Sequence, residues 1–280
     1  MEKVKNREKY NDMKKALLFI FITYSISWTI WFLAPNAGIG IIGSCMPTII
    51  GFLFLRLDKS GAYKNFGHRI INYKSIRLTW LLIILLIIPF ITLISVIIHK
   101  LPGGDISSSD TFIKNIRSPL QILGFALLGL GAGFGEELGW RGFLLDTFQK
   151  YWSGLTSSVI TGVVWAAWHI PFALMNKESL ISLYFINYFI FVVLISVLIT
   201  VIYDSNNRSI LSAILLHGMV NFTQYIVFLN NPVPIEQNVI KTVCLLFVVI
   251  GIFLVCKTKA PIRRNYLGFH KKRNNACKYH

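Results

Sequence analysis

The run TWLLIILLIIPFITLISVII, residues 79–98, contains no Asp, Glu, Lys or Arg and has no polar stripe. At about 20 apolar residues per bilayer crossing, it is the length and chemistry of a transmembrane helix. Working outward, similar runs lie at roughly 16–35, 38–55, 118–147, 156–175, 180–202, 209–228 and 238–256. The 280 residues are 54% hydrophobic, with a mean hydropathy of +0.60. These features predict an all-α, polytopic transmembrane helix bundle of about eight spans. No soluble stretch is long enough to bury its own core, so residues 1–280 form a single membrane domain. The first run, from Ala16 to Leu33, is too long for a signal-peptide core and lacks a small-residue cleavage site after it, so it stays as an anchor.

The formal charge of +16 raises nucleic acid as a partner. Lys and Arg are, however, concentrated in the two termini and in residues 56–78, without basic–aromatic alternation. The positive-inside rule accounts for that pattern and puts both termini in the cytoplasm. The tail after Lys257 adds attraction for anionic lipid headgroups. Cys45, Cys244, Cys256 and Cys277 form no CxxC pair, which indicates neither a disulfide framework nor a thiolate metal site. Cys277 occupies a prenylation-box position, but Lys278 and Tyr279 stand where that signal requires aliphatic residues. Gly103, Gly104 and Ser107 to Ser109 mark a flexible loop on the outer side.

Ionisable groups inside a bilayer are costly, and the apolar runs carry several. Glu136, Glu137 and Arg141 lie in the fourth, His169 in the fifth, and His217 and Asn221 in the seventh. With a rise of 1.5 Å per residue, Glu136, His169 and His217 lie roughly 15, 20 and 12 Å from the cytoplasmic ends of their helices. Their similar depth predicts one shared site. Glu137 and Arg141 have the i, i+4 spacing that favours an ion pair, while Glu136, about 100° round the helix, is left to face a cavity. His217 and Asn221 share a face by the same spacing, so Asn221 can fix the imidazole tautomer or donate to an oxyanion. Pro171 frees the carbonyl of Ala167 and bends the helix beside His169. Gly129/Gly133 and Gly131/Gly135 are spaced for close approach of another helix; without a preceding strand they are not a phosphate loop. Asn187 reads as an interhelical hydrogen-bonding residue and Lys241 as snorkelling to the outer interface.

Carboxylate, imidazoles and amide in one wet pocket suit hydrolysis of a carbonyl compound by an activated water. Glu136, His169 and His217 also make a three-ligand set for a divalent metal such as zinc, although no HExxH helix is present. No serine or cysteine has a nucleophile's partners, Ser212 being a turn or more from His217.

The segments EELGWR (Glu136–Arg141), WAAWH (Trp165–His169) and HGMVN (His217–Asn221) together resemble the EExxxR, FxxxH and HxxxN motifs of the CAAX protease and bacteriocin-processing (CPBP, or Abi) family of intramembrane peptidases. With their spans they cover about residues 120–225, within a motif-bearing core of about 118–228. The resemblance implies an intramembrane endopeptidase acting on membrane-associated peptides or proteins, in which Glu136 and His169 activate water. It implies that Glu137 and Arg141 organise the helix end, and that His217 and Asn221 complete the site as oxyanion donors or, in a metalloprotease, with His217 as ligand. Trp165 replaces the family's usual Phe, a change expected to alter pocket shape and leave the chemistry intact. The Ile-, Lys- and Asn-rich composition resembles a bacterial member of low genomic GC, which implies the bacterial plasma membrane. The alternatives are a catalytically silent immunity or scaffold protein of that family and a transporter using the buried charges.

Overall fold

The computed structural model describes residues 2–33, 37–57, 66–104, 112, 114–228 and 233–258. The basic tail with Cys277, and Ser107 to Ser109, lie outside them. Among the described residues, seven helices are long and apolar enough to cross a membrane, and Met46–Leu57 is a shorter apolar helix. The protein is therefore an all-α integral membrane bundle. In chain order the helices are α1 (Glu2–Leu33), α2 (Ala37–Ser44), α3 (Met46–Leu57), α4 (Phe66–Ile71) and α5 (Leu78–Lys100). Next comes α6, which runs as α-helix over Pro119–Gly139, as a π turn over Trp140–Leu145 and again as α-helix over Asp146–Phe148. There follow α7 (Gly154–Trp168), α8 (Ile170–Met175), α9 (Leu183–Ser205), α10 (Ile210–Phe228) and α11 (Ile235–Thr258). Large apolar side chains such as Phe21, Leu86 and Phe90 point outward, which suits contact with acyl chains.

The second expected span, 38–55, is two helices broken at Cys45. Pro47 is the cause. It has no N–H for the carbonyl of Gly43, and its ring clashes with that carbonyl in a continuous helix. The freed carbonyl instead accepts from Ser27 Oγ of α1 at 2.8 Å. Pro171 acts likewise in the fifth span, where the helix breaks at His169 between α7 and α8. Phe172 N–H turns to the His169 carbonyl, and that of Trp168 accepts from Trp28 Nε1 at 3.0 Å.

The glycines of α6 seat it against its neighbours. A Cβ at Gly129 would lie 2.5 Å from the Gly218 carbonyl oxygen, and one at Gly133 would lie 2.6 Å from that of Ile214. Both contacts are with α10, as the four-residue spacing predicts. The other expected pair does not form: Gly131 faces open space, whereas Gly135 packs on Ser44 and Cys45, and Gly139 on the Pro47 backbone. One glycine face of α6 thus receives α10 and another receives the α2–α3 break. The residues just beyond, from Glu136 onward, are consequently enclosed on two sides.

At the end of the bundle where α6 finishes, Asp146 pairs with Arg69 of α4 at 2.8 Å and with Arg208. Tyr203 OH donates to the same carboxylate at 2.5 Å. Burial works against the charge of Arg208, but Asp146, Tyr203 and Asp204 outweigh it and raise its pKa, so this guanidinium stays charged at any physiological pH. Lys150 and Tyr151 reach Asp12 of α1 at 2.9 and 2.7 Å, tying the first helix to the same end.

Candidate active site

Glu136 and Glu137 occupy successive positions on α6, and the helical turn sends them to different partners. Glu137 is fully buried and accepts on Oε1 from Arg141 Nη1 at 2.8 Å, the expected i, i+4 ion pair. The same oxygen lies 2.7 Å from His217 Nδ1 of α10. A carboxylate accepts, so this nitrogen donates and the second imidazole nitrogen is turned away from Glu137. It turns toward Glu136: His217 Nε2 is 4.0 Å from Glu136 Oε1. One imidazole therefore stands between two carboxylates, hydrogen-bonded to one and facing the other.

Glu136 is 5% exposed, and its Oε2 accepts two indole N–H groups, from Trp165 at 2.6 Å and Trp140 at 3.3 Å. Neither donor was anticipated from sequence. The replacement of Phe by Trp165 does more than change pocket shape: its indole N–H makes a bond that phenylalanine cannot make. Its ring also lies 4.8 Å from the Arg141 guanidinium and 5.0 Å, edge-on, from that of His217. The Trp165 carbonyl completes the arrangement by accepting from His169 Nδ1 at 2.9 Å. A carbonyl cannot donate, so His169 carries its proton on Nδ1 and keeps the Nε2 lone pair.

All six sequence candidates gather around one region. Glu136, His169, His217 and Asn221 line a cavity of about 630 Å³, while Glu137 and Arg141 are buried behind it. Asn221 follows His217 by one turn on the same cavity wall, as its spacing requires. His169 makes no direct hydrogen bond to Glu136; the two are joined through Trp165. Among the described residues no three His, Cys, Asp or Glu side chains are placed to hold one metal ion. The ligand set Glu136, His169 and His217 is thus not assembled around a single point, because Glu136 is drawn to the indoles and His169 to its own helix.

Two residues read as peripheral belong to this cavity. Asn187 and Lys241 both line it, instead of bonding a neighbouring helix or snorkelling outward. Lys241 is 9% exposed and donates to Gln224 Oε1 at 3.4 Å, which holds it inside the bundle.

Residues 118–223 match the family model described as type II CAAX prenyl endopeptidase Rce1-like. This segment is similar to the Rce1-like family. A curated relative, CAAX prenyl protease 2 of Methanococcus maripaludis, is 26% identical over 267 residues, covering 89% of this chain and 95% of its own length. The matched segment includes all six candidates, from Glu136 to Asn221, and the likeness to the Methanococcus maripaludis protein extends well beyond it on both sides.

Proposed function

We propose that this protein is an intramembrane endopeptidase that hydrolyses peptide bonds near the prenylated C-terminus of membrane-associated substrates. The observation that carries the proposal is the buried Glu136 carboxylate, pinned by two indoles and facing His217 Nε2 across 4.0 Å at the wall of a cavity. That gap is too long for a direct hydrogen bond and short enough for one atom of water or substrate to touch both groups.

In this reading Glu136 takes a proton from water as the oxygen attacks the scissile carbonyl carbon. His169 positions the water through its Nε2 lone pair, and the Asn221 amide donates to the oxyanion. As the C–N bond breaks, Glu136 returns the proton to the leaving nitrogen. Glu137 and Arg141 act at one remove, because Glu137 fixes which nitrogen of His217 faces Glu136. No step is routed through a metal ion, since the donor set does not converge. The protein is taken as one membrane domain of a bacterial plasma membrane with both termini cytoplasmic, as the charge distribution favours.

The test is cleavage of an S-farnesyl peptide by the purified, full-length protein, with mass-spectrometric identification of the products. Cleavage is expected, and rates should be the same with and without a strong chelator. Failure to cleave any prenylated peptide under conditions where the fold is intact counts against an endopeptidase. Cleavage abolished by chelator and restored by zinc would instead return Glu136, His169 and His217 to the role of ligands.

Trp165→Phe provides a finer check. It removes the 2.6 Å donor to Glu136 while keeping an aromatic ring in place. A hydrogen bond to a charged group is worth about 1.5–3 kcal/mol, so kcat is expected to fall by about 10- to 100-fold with KM little changed. An unchanged kcat would show that the indole is packing only.

A further inference from the structure

Lys241 is a buried cation that the hydrolytic machinery does not use. It lies in the first turns of α11, lining the same cavity as Glu136 and His217. Its Nζ donates to Gln224 Oε1 at 3.4 Å and lies 5.0 and 5.6 Å from the ring centroids of Phe191 and Phe228. Among the described residues it has no ion-pair partner; Glu178, which lines the cavity too, is not paired with it. A buried ammonium with one neutral acceptor and two rings is under-compensated. Such a group is retained where an anion visits it.

The chemistry of the wall narrows the anion. A lone Lys is a point charge that suits a monoanion, whereas a phosphate group is met more often by arginine forks or several cations. Asn238 lines the cavity one turn before Lys241, and Gln224 lies at its ammonium, so neutral amides flank the charge. Distance narrows it further. Gln224 and His217 are seven residues apart on α10, which is about 10 Å along the helix. An extended peptide covers that length in about three residues at roughly 3.3 Å each. A chain that continues about three residues past a reacting carbonyl at Glu136 and His217 therefore brings its end within reach of Lys241.

We propose that Lys241 is a specificity-determining residue that binds the free C-terminal carboxylate of the peptide substrate. This deepens the endopeptidase reading and rests on it for the position of the reacting carbonyl. Carboxylate capture at Lys241 is measurable without hydrolysis.

The probe is a fluorescent S-farnesyl-cysteinyl peptide with three apolar residues after the cysteine, prepared as free acid and as C-terminal amide. Binding of both is measured by anisotropy to full-length Glu136→Gln protein in phosphatidylcholine nanodiscs, with and without Lys241→Met or Lys241→Arg. The acid is expected to bind about tenfold or more tighter than the amide when Lys241 is present. Lys241→Met should bring the ratio to within about twofold, and Lys241→Arg should retain most of it. Equal binding of acid and amide with Lys241 present overturns the proposal. So does persistence of the preference in Lys241→Met. Should Lys241→Met not fold, the ratio with Lys241 present and in Lys241→Arg still decides. Repeating the measurement with phosphatidylglycerol separates the two sources of an anion: a Lys241-dependent lipid effect, without an acid–amide difference, assigns the lysine to a headgroup and overturns it. Acid preference that depends on Lys241, together with no cleavage of the free-acid peptide by the protein with Glu136 intact, leaves the anion site standing and removes the endopeptidase.

Discussion

Glu136→Gln is expected to lower peptide hydrolysis by at least about 10³-fold while leaving the folded protein intact. The amide is isosteric with the carboxylate, and its oxygen can still accept from Trp140 and Trp165, the two indoles that hold Oε2. What it cannot do is take a proton from water. Loss of activity should therefore appear in kcat, with peptide binding and thermal unfolding in detergent close to those of the unaltered protein. Turnover within about tenfold of normal, well inside the range attributed to a general base, would remove Glu136 from the chemistry. A variant that lost both activity and thermal stability would point to a structural carboxylate.

Arg141→Met is expected to act in the opposite manner, through stability first. Arg141 and Glu137 are both fully buried and share one ion pair at 2.8 Å. Removing the guanidinium strands Glu137 among apolar helices, at a cost of about 3–5 kcal/mol for a broken buried pair. His217 offsets part of this through its bond to the same oxygen, at the expense of its alignment with Glu136. The expected result is reduced yield and a lower unfolding temperature, with activity lost in what remains. The double variant Glu137→Gln with Arg141→Met tests the cause, because it removes the stranded charge along with the missing partner. Its unfolding temperature should rise above that of Arg141→Met. If the two unfold alike, Arg141 matters for packing and for its contact with the Trp165 ring, and not as a counter-charge.

These two variants separate roles that adjacent residues of one motif carry. The division was legible in part. Helical geometry alone puts Glu137 with Arg141 and turns Glu136 aside. It also pairs His217 with Asn221, and both do line one cavity wall. Pro171 marked a bend beside His169 for a reason intrinsic to the residue, a missing N–H and a ring that displaces a carbonyl, whereas the break at Cys45, which Pro47 causes in the same way, lies inside what read as one span. Where the freed carbonyls find donors, in Ser27 and Trp28 of α1, depends on another helix, distant in sequence, and has no local signature.

Other assignments depended on how helices are rotated against one another. The glycine series gave two equally spaced pairs, but only Gly129 and Gly133 meet α10, and Gly131 faces nothing. Trp140 and Trp165 have the composition of packing residues, and become hydrogen-bond donors only because α6 and α7 turn their indoles onto one oxygen. Lys241 near a helix start has the pattern of an interfacial anchor, yet its helix is set so that the ammonium points inward.

By itself the sequence determined that the chain is a bundle of membrane helices and which residues share a helix face, and it gave reason to expect the acid and the two imidazoles at similar depth. Those properties follow from desolvation cost and from the fixed rise and turn of a helix, both local to each segment. Only the tertiary structure decided that His217 stands between two carboxylates, that indoles hold Glu136, and that Lys241 shares their cavity. Each depends on the rotation and crossing of separate helices, which is set by where small residues let backbones touch, not by the periodicity of any one of them.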